Sequence, residues 1–420
     1  MERRNSSQIR QVWTEQVAIT NASLNLCKGV IVNNTGDGHI CRFESASHAI
    51  LCGWLMQKYT AERNDFQSDE LLKFSIYVGI DVGEVLEVGA KEWRGNVKNR
   101  AARVTSECPA GEVYFTSRVS GLLDDRAIVK ELVEGEFTFK GVSGKTVLYR
   151  VTECIEPLPE IANPFHWRGA ITDIEAFQSR RRQIAEIKGY LMGGQNAQIV
   201  GERRIGKSSL MRYIQSQASG WADGISISYV DLTDARCRTS EGLLAQIAFG
   251  WKSEKISNLI GLTDIVEKMT TSGKRPLLLI DEFGEFTRLQ SDFAGELMRT
   301  LRSCGEAKML STVTSSRRPL SELVSKTDPS SPFFNTFPTV RVRELTDNES
   351  QEFVKRYRPG IRFSQQEQSE ILRFAKNHPL KIMSACYFVI LAQLHGGSLE
   401  EAIQLAEDQT REAMQGSGRV

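Results

Sequence analysis

The stretch "AQIVGERRIGKSSLMRYIQSQ", Ala197 to Gln217, decides how this chain is read. A short apolar run, "AQIV", leads into a glycine-bounded loop, and residues of helical spacing follow. Gly201 to Ser208 fits G-x-x-x-x-G-K-[ST], and strand, loop and helix in that order is the context that gives the pattern a mechanism. Gly201 and Gly206 let the backbone curl so that its N–H groups face an anion, and the helix N-terminus adds the positive end of its dipole. Gly201, Gly206, Lys207, Ser208 and Ser209 are therefore the candidate binding residues for a nucleoside triphosphate such as ATP. Lys207 is expected to reach the β- and γ-phosphates and the Ser208 hydroxyl to ligate Mg²⁺.

A second element lies downstream. "RPLLLIDEF" is an apolar run ending in Asp281-Glu282. An acid at the end of a strand beside a phosphate loop can hold Mg²⁺ through its water shell, and the next acid can orient a hydrolytic water. Asp281 is thus the expected metal residue and Glu282 the expected catalytic one. The run "MLSTVTSSRR" offers Thr314 or Ser315 to sense the γ-phosphate and Arg317 or Arg318 to stabilise charge.

Working outward, "AQIVG", "ISISYVDL", "PLLLIDEF", "MLSTVTSS" and "TVRVREL" are short apolar runs separated by helical patterns. They predict an α/β P-loop NTPase domain over 173–345, with a parallel sheet buried on both faces. Residues 346–412 read as a helical lid broken once at Asn377-His378-Pro379, with 413–420 a tail. Three prolines between 157 and 164 place a linker at 154–172. Residues 1–153 mix strands and helices: "GVIVNNTGDGHICRF" reads as a hairpin, "LKFSIYVGIDVGEVLEVG" as two strands joined at Asp81-Val82-Gly83, and "GNVKNRAARVTSEC" as a helix. This order predicts an α+β domain.

The bulk numbers bound the function classes. A chain of 420 residues is long enough for two or three domains. A net charge of +1 gives no global field for nucleic acid, and the cluster Arg180-Arg181-Arg182 reads as a solvated helix face. No apolar run reaches the length of a membrane span, and "MERRNSSQIR" lacks a signal-peptide core. The eight cysteines fall singly, without CxxC spacing, as in a cytoplasmic protein with reduced thiols.

Residues 160–412 resemble the STAND and AAA-like ATPases. The likeness is carried by "NPFHWRGAITDIEAF", "GERRIGKSSL", "LLLIDEF", "FFNTFPTVRVRELTDNESQEFV" and "FAKNHPLKI". It implies that His378 and Pro379 of the lid contact the nucleotide. Where relatives carry Gly-Arg-Glu after the aromatic, this chain has Ser179-Arg180-Arg181.

Within the first domain, Asn99 and Arg103 are four apart on one helix face and suit a polyphosphate ligand. The order GD-turn hairpin, "ESASHAILCGWLMQ", "FSIYVGIDVGEV", "GNVKNRAARV", "PAGEVYFTS", "FKGVSGKTVLYRV" resembles class III nucleotide cyclases over most of 24–153. That resemblance implies a ferredoxin-like α+β fold and a head-to-tail homodimer. It also implies conversion of a nucleoside triphosphate to a 3′,5′-cyclic monophosphate and pyrophosphate with two Mg²⁺, or Mn²⁺. Asp37 matches the second metal aspartate, Asn99 and Arg103 the transition-state pair, and Asn33 and Glu92 the two base-reading positions. No F-x-D-I-x-G strand precedes the hairpin, so the expectation is either a later start than the gene's own or a reduced metal site. The combined expectation is a signalling protein in which an ATPase switch controls a cyclase. Its alternative is a switch and scaffold whose first domain only dimerises or senses nucleotide. A third reading, an ATPase acting on nucleic acid, finds no basic recognition helix and no aromatic-basic stripe in the sequence.

Overall fold

A computed structural model of the chain describes residues 4–415 apart from 37, 90–91, 124–127, 134–136, 140–144, 155–162, 172–176, 178–179, 290, 325–334 and 357. Two compact units emerge, residues 1–162 with 357–362 and residues 163–356 with 363–420. Residues 155–162 and 172 of the expected linker lie outside the described residues.

Unit 1 opens with α1 (Ser6–Leu26). A reciprocal cap fixes its start: Asn5 Oδ1 accepts from Gln8 N at 2.9 Å and Gln8 Oε1 accepts from Asn5 N at 3.0 Å. β1 (Val30–Asn34) and β2 (His39–Arg42) form the expected antiparallel hairpin, Thr35 N donating to Gly38 O at 2.9 Å across the turn. Asp37, in that turn, lies outside the described residues. There follow α2 (Ala46–Phe66), β3 (Val78–Ile80), β4 (Leu86–Gly89), β5 (Glu92–Arg94), α3 (Asn96–Glu107), β6 (Val113–Thr116), the short α4 (Ser117–Ser120), β7 (Ile128–Leu132) and β8 (Leu148–Cys154). The sheet runs β3-β6-β8-β7, with β3 and β6 parallel and the other pairs antiparallel. Alternation along β6 feeds two cores: Val113 and Phe115 join Ile50 of α2, and Tyr114 joins Val104 of α3.

As the sequence reads, the segment from Asp81 joins two strands, β3 and β4, but the two do not pair with each other; β4 pairs with β5. Asp81 shows why. Its buried carboxylate is not a turn group but an anchor, held by Arg100 of α3 and by Thr116 Oγ1 at 2.6 Å, while Arg100 also reaches Val82 O at 3.0 Å. These contacts hold 81–82 against α3 rather than in a hairpin.

Unit 2 contains α5 (Arg181–Met192), β9 (Ala197–Val200), α6 (Lys207–Gln217), β10 (Ile225–Asp231), α7 (Ser240–Trp251), α8 (Leu259–Thr271), β11 (Arg275–Asp281), α9 (Ser291–Glu306), β12 (Ser311–Ser316), α10 (Leu320–Val324) and β13 (Thr339–Arg341). The five strands are those the apolar runs predict. They form one parallel sheet in the order β10-β11-β12-β9-β13. β11 shows why its run is continuously apolar. Leu278 and Ile280 pack with α7, α8 and α9 on one face, and Leu277 and Leu279 pack with α5 and α6 on the other. Because β12 lies between β9 and β11, its C-terminal end stands between the phosphate loop and Asp281-Glu282.

The C-terminal helices are α11 (Asp347–Lys355), α12 (Gln365–Ala375), α13 (Pro379–His395) and α14 (Leu399–Gln415). The sequence expects one break in this stretch; there are further breaks at 356–364 and 396–398. Ser364 and Glu367 form a capping box that starts α12, and Gly396 ends α13 at φ +75°. Among the described residues no helix is long and apolar enough to cross a membrane.

Candidate functional site

The site begins with two glycines. A Cβ on Gly201 would lie 2.4 Å from Val342 O, so only glycine lets the loop leave β9 against the segment after β13. Gly206 sits at φ +98° as the cap of α6, with nothing within 4 Å of a built Cβ. Open space over a glycine at a helix start leaves the first N–H groups of α6 free to meet an anion.

A cavity of about 360 Å³ opens there, within the roughly 300–1,000 Å³ range of small-molecule sites. Its polar wall is made by segments following the C-terminal ends of four strands: Arg203 to Ser209 after β9, Thr233 after β10, Glu282 and Glu285 after β11, and Arg317 after β12. Trp167, Phe177, Phe353, Leu380 and Met383 supply an apolar wall suited to a base.

Lys207 is only 5% exposed, and its ammonium donates to Glu202 O at 2.9 Å. Burial pushes its pKa down, while the charges of Glu282 and Asp281 pull it back up. Glu282 follows β11 in the left-handed region, at φ +51° and ψ +46°. For a residue with a side chain this costs about 1–2 kcal/mol, the kind of strain kept at functional positions. The turn brings Glu282 into the cavity wall, where burial raises its pKa against the pull of Lys207.

Asp281 does not itself line the cavity. It is 1% exposed and accepts from Tyr229 Oη at 2.8 Å, from Ser315 Oγ, and from Glu282 N at 2.9 Å. Thr314 and Ser315 are thereby told apart: Ser315 is bonded to Asp281, whereas Thr314 Oγ1 is buried with no partner among the described residues. The two arginines part in the same way. Arg317 lines the cavity; the Arg318 carbonyl accepts from Ser316 Oγ at 2.6 Å.

The donor set fits Mg²⁺ in character. Ser208, half-buried in the wall, and Asp281 behind it supply hard oxygens, and Mg²⁺ keeps several waters and leans on phosphate oxygens rather than a protein cage. Ser209 Oγ accepts from Ile171 N at 3.0 Å, tying the apolar wall to the loop. Pro379 lines the cavity. His378 does not; its Nδ1 is buried without a partner among the described residues, and burial lowers its pKa.

One reading is corrected outright. Arg180 is not part of a solvated face: it is 3% exposed and lines the cavity, whereas Arg181 and Arg182 are exposed. Its place in a basic triplet hid it; the one signal that singles it out is that it stands at the arginine of the relatives' Gly-Arg-Glu.

In unit 1, Asn99 and Arg103 stand exposed on α3, with no polar partner among the described residues, and Asn33 is exposed on β1. Glu92 lies on β5 with its side chain outside the described residues, as Asp37 is entirely. These four described or partly described positions occupy three separate elements, and only Asn99 and Arg103 share one.

Residues 191–323 match the family profile described as an AAA domain. No curated protein matches the chain. Among solved structures, a Walker-type ATPase of Pyrococcus abyssi is similar at 18% identity, over 60% of this chain and 78% of that one, with a TM-score of 0.48. The ORC2 protein of Aeropyrum pernix is similar at 14% identity, over 55% and 68%, with a TM-score of 0.44. The adenylyl cyclase CyaB of P. aeruginosa is similar at 20% identity, over 36% and 86%, with a TM-score of 0.33. At this level of likeness none of them assigns an activity to this chain. The family match over 191–323 and the fold agree on a P-loop ATPase-like domain of AAA type, with a parallel sheet and a helical C-terminus.

Proposed function

We propose that unit 2 binds and hydrolyses MgATP, and that its nucleotide state controls unit 1, which acts as a class III-type nucleotide cyclase domain in a head-to-tail homodimer. The observation that carries the ATPase half is Glu282: a carboxylate in the cavity wall, on a strained turn, directly after buried Asp281 and electrostatically coupled to Lys207.

In this reading the N–H groups at the start of α6 cradle the phosphates, and Lys207 exchanges the Glu202 carbonyl for β- and γ-phosphate oxygens. Glu282 orients a water and takes its proton as the water oxygen bonds the γ-phosphorus and the bond to the β-γ bridging oxygen breaks, releasing ADP and phosphate. Arg317, which lines the cavity, is the residue that stabilises the charge building on the transferred group in this reading. Mg²⁺, when bound beside Ser208, neutralises part of the phosphate charge. Ser315 holds Asp281 in place from the adjacent strand.

For unit 1 the support is the ordered motif series of the sequence and the free Asn99–Arg103 face. Arg103 grips phosphate and Asn99 grips ribose; the 3′-hydroxyl gives up its proton to solvent as its oxygen bonds the α-phosphorus, and the bond from that phosphorus to the α-β bridging oxygen breaks, releasing pyrophosphate. Asp37 is the metal residue of this reading, with Asn33 and Glu92 beside the base.

Two measurements test these halves separately. Equilibrium binding of MgATP to the full chain is expected to weaken at least tenfold in Lys207→Ala; equal affinity sinks the first half. Incubation with each of the four ribonucleotides and Mg²⁺ or Mn²⁺ is expected to yield cyclic product that Asn99→Ala and Arg103→Ala abolish. No product from any of the four leaves unit 1 as a dimerising or nucleotide-sensing element.

A further inference from the structure

Arg180 has no part in the chemistry above, yet it touches three segments of unit 2 at once. It precedes α5 at φ +76°, a conformation side-chain-bearing residues rarely adopt. Its Nη2 donates to Ile205 O, in the phosphate loop, at 2.9 Å. Its Nη1 reaches Glu344 O, on the chain leading to the C-terminal helices, at 3.4 Å. Its backbone N donates to Glu349 Oε1 at 2.9 Å, and the other oxygen of that carboxylate accepts from Thr346 N at 2.9 Å, closing the cap of α11.

The contact with Ile205 has a mechanical consequence. A trans peptide is a rigid plane in which the carbonyl and the following N–H point opposite ways. Fixing the Ile205 carbonyl therefore fixes the direction of the Gly206 N–H, at the residue where the loop turns into α6. A charged donor on the carbonyl also polarises that amide and strengthens it as a donor to phosphate. Burial opposes the guanidinium charge, so the group is held there by these carbonyls and by the nearby Glu349 and Glu344.

We propose that Arg180 is the positioning residue that couples the phosphate loop to the lid: its guanidinium aims the Gly206 amide through Ile205 O and holds Glu344 O on the chain entering α11, so that nucleotide on the loop is felt at the first lid helix. The coupling rests on the reading of unit 2 as an MgATP site.

The test uses the full chain, with MgATP affinity and amide hydrogen exchange across α11 measured with and without MgATP. In the wild type, MgATP is expected to slow exchange in α11. Arg180→Ala is expected to weaken MgATP binding at least tenfold and to abolish that slowing. Arg180→Lys, which can reach only one carbonyl at a time, is expected to recover part of the affinity but not the response in α11. The exposed neighbour variant Arg182→Ala is expected to match the wild type in both. A merely structural residue would speed exchange equally with and without nucleotide. Wild-type affinity in either Arg180 variant, or a wild-type nucleotide response in α11, overturns the coupling; if Arg180→Ala does not fold, Arg180→Lys decides by the same criteria. A wild-type chain that binds MgATP with no change in α11 also overturns it. A wild-type chain that does not bind MgATP removes the underlying reading, and the coupling falls with it.

Discussion

The Tyr229 hydroxyl donates to Asp281 Oδ2 at 2.8 Å, from β10 to the end of β11, while the Arg212 guanidinium of α6 lies 3.8 Å from the Tyr229 ring centroid. Burial, then the charge of Asp281, pushes the phenol pKa up, so the hydroxyl stays a donor across the working pH range. Tyr229→Phe leaves a buried carboxylate one bond short. A hydrogen bond to a charged group contributes about 1.5–3 kcal/mol, and urea unfolding is expected to show a loss of that order. An unchanged midpoint and slope would mean the bond holds nothing.

The two loop glycines should fail differently. In Gly201→Ala the new methyl meets Val342 O, a backbone atom that cannot swing aside, so the expected result is a large loss of stability, seen as a lowered melting temperature. In Gly206→Ala there is room, but the left-handed backbone costs about 1–2 kcal/mol and nucleotide affinity should suffer more than stability. Equal melting temperatures for the two variants would contradict the clash at Gly201.

Glu282 and Lys207 set the pH dependence. Burial raises the pKa of Glu282 in the folded chain, so its contribution to nucleotide-free stability is present at low pH and lost as pH rises through the folded value. Burial lowers the pKa of Lys207, so its contribution is present at high pH and lost as pH falls through its folded value. Between those values both groups are charged and buried, and bound MgATP gains most there. Hydrolysis needs Glu282 ionised, so the acid limb of the rate profile is expected above the ordinary glutamate range. A limb at an ordinary glutamate value would show that Glu282 is not the titrating base.

In unit 1 the two kinds of charged residue should separate. Asp81 is buried under Arg100 and Thr116, and removing one partner of a buried ion pair costs about 3–5 kcal/mol. Asp81→Ala is therefore expected to destabilise the chain markedly in chemical unfolding. Asn99→Ala and Arg103→Ala, on the exposed face of the same α3, are expected to leave stability unchanged. Parity between Asp81→Ala and Asn99→Ala would contradict the anchor.

Much of unit 2 was legible because its physics is local. Continuous apolar runs mean strands covered on both faces, and Gly201 to Ser208 carries its geometry in its residue types. Tyr229 was invisible, since a tyrosine in an alternating strand gives no sign that its hydroxyl crosses to a carboxylate 52 residues away. Arg180 stood at the arginine of the Gly-Arg-Glu element, but its partners Ile205, Glu344 and Glu349 come together only in the fold. In unit 1 the hairpin at 30–42 was readable from its turn, and the two strands either side of Asp81-Val82-Gly83 from their apolar runs, but nothing local showed that a turn-forming residue type serves there as a buried anchor.

The central claim is that Glu282 drives hydrolysis at a site Lys207 helps to form. A single-turnover assay on the full chain, following bound ATP and released phosphate together, tests it most directly. Glu282→Gln is expected to retain MgATP binding and release phosphate about 10²- to 10⁴-fold more slowly than the wild type. Phosphate release from Glu282→Gln at the wild-type rate would contradict it.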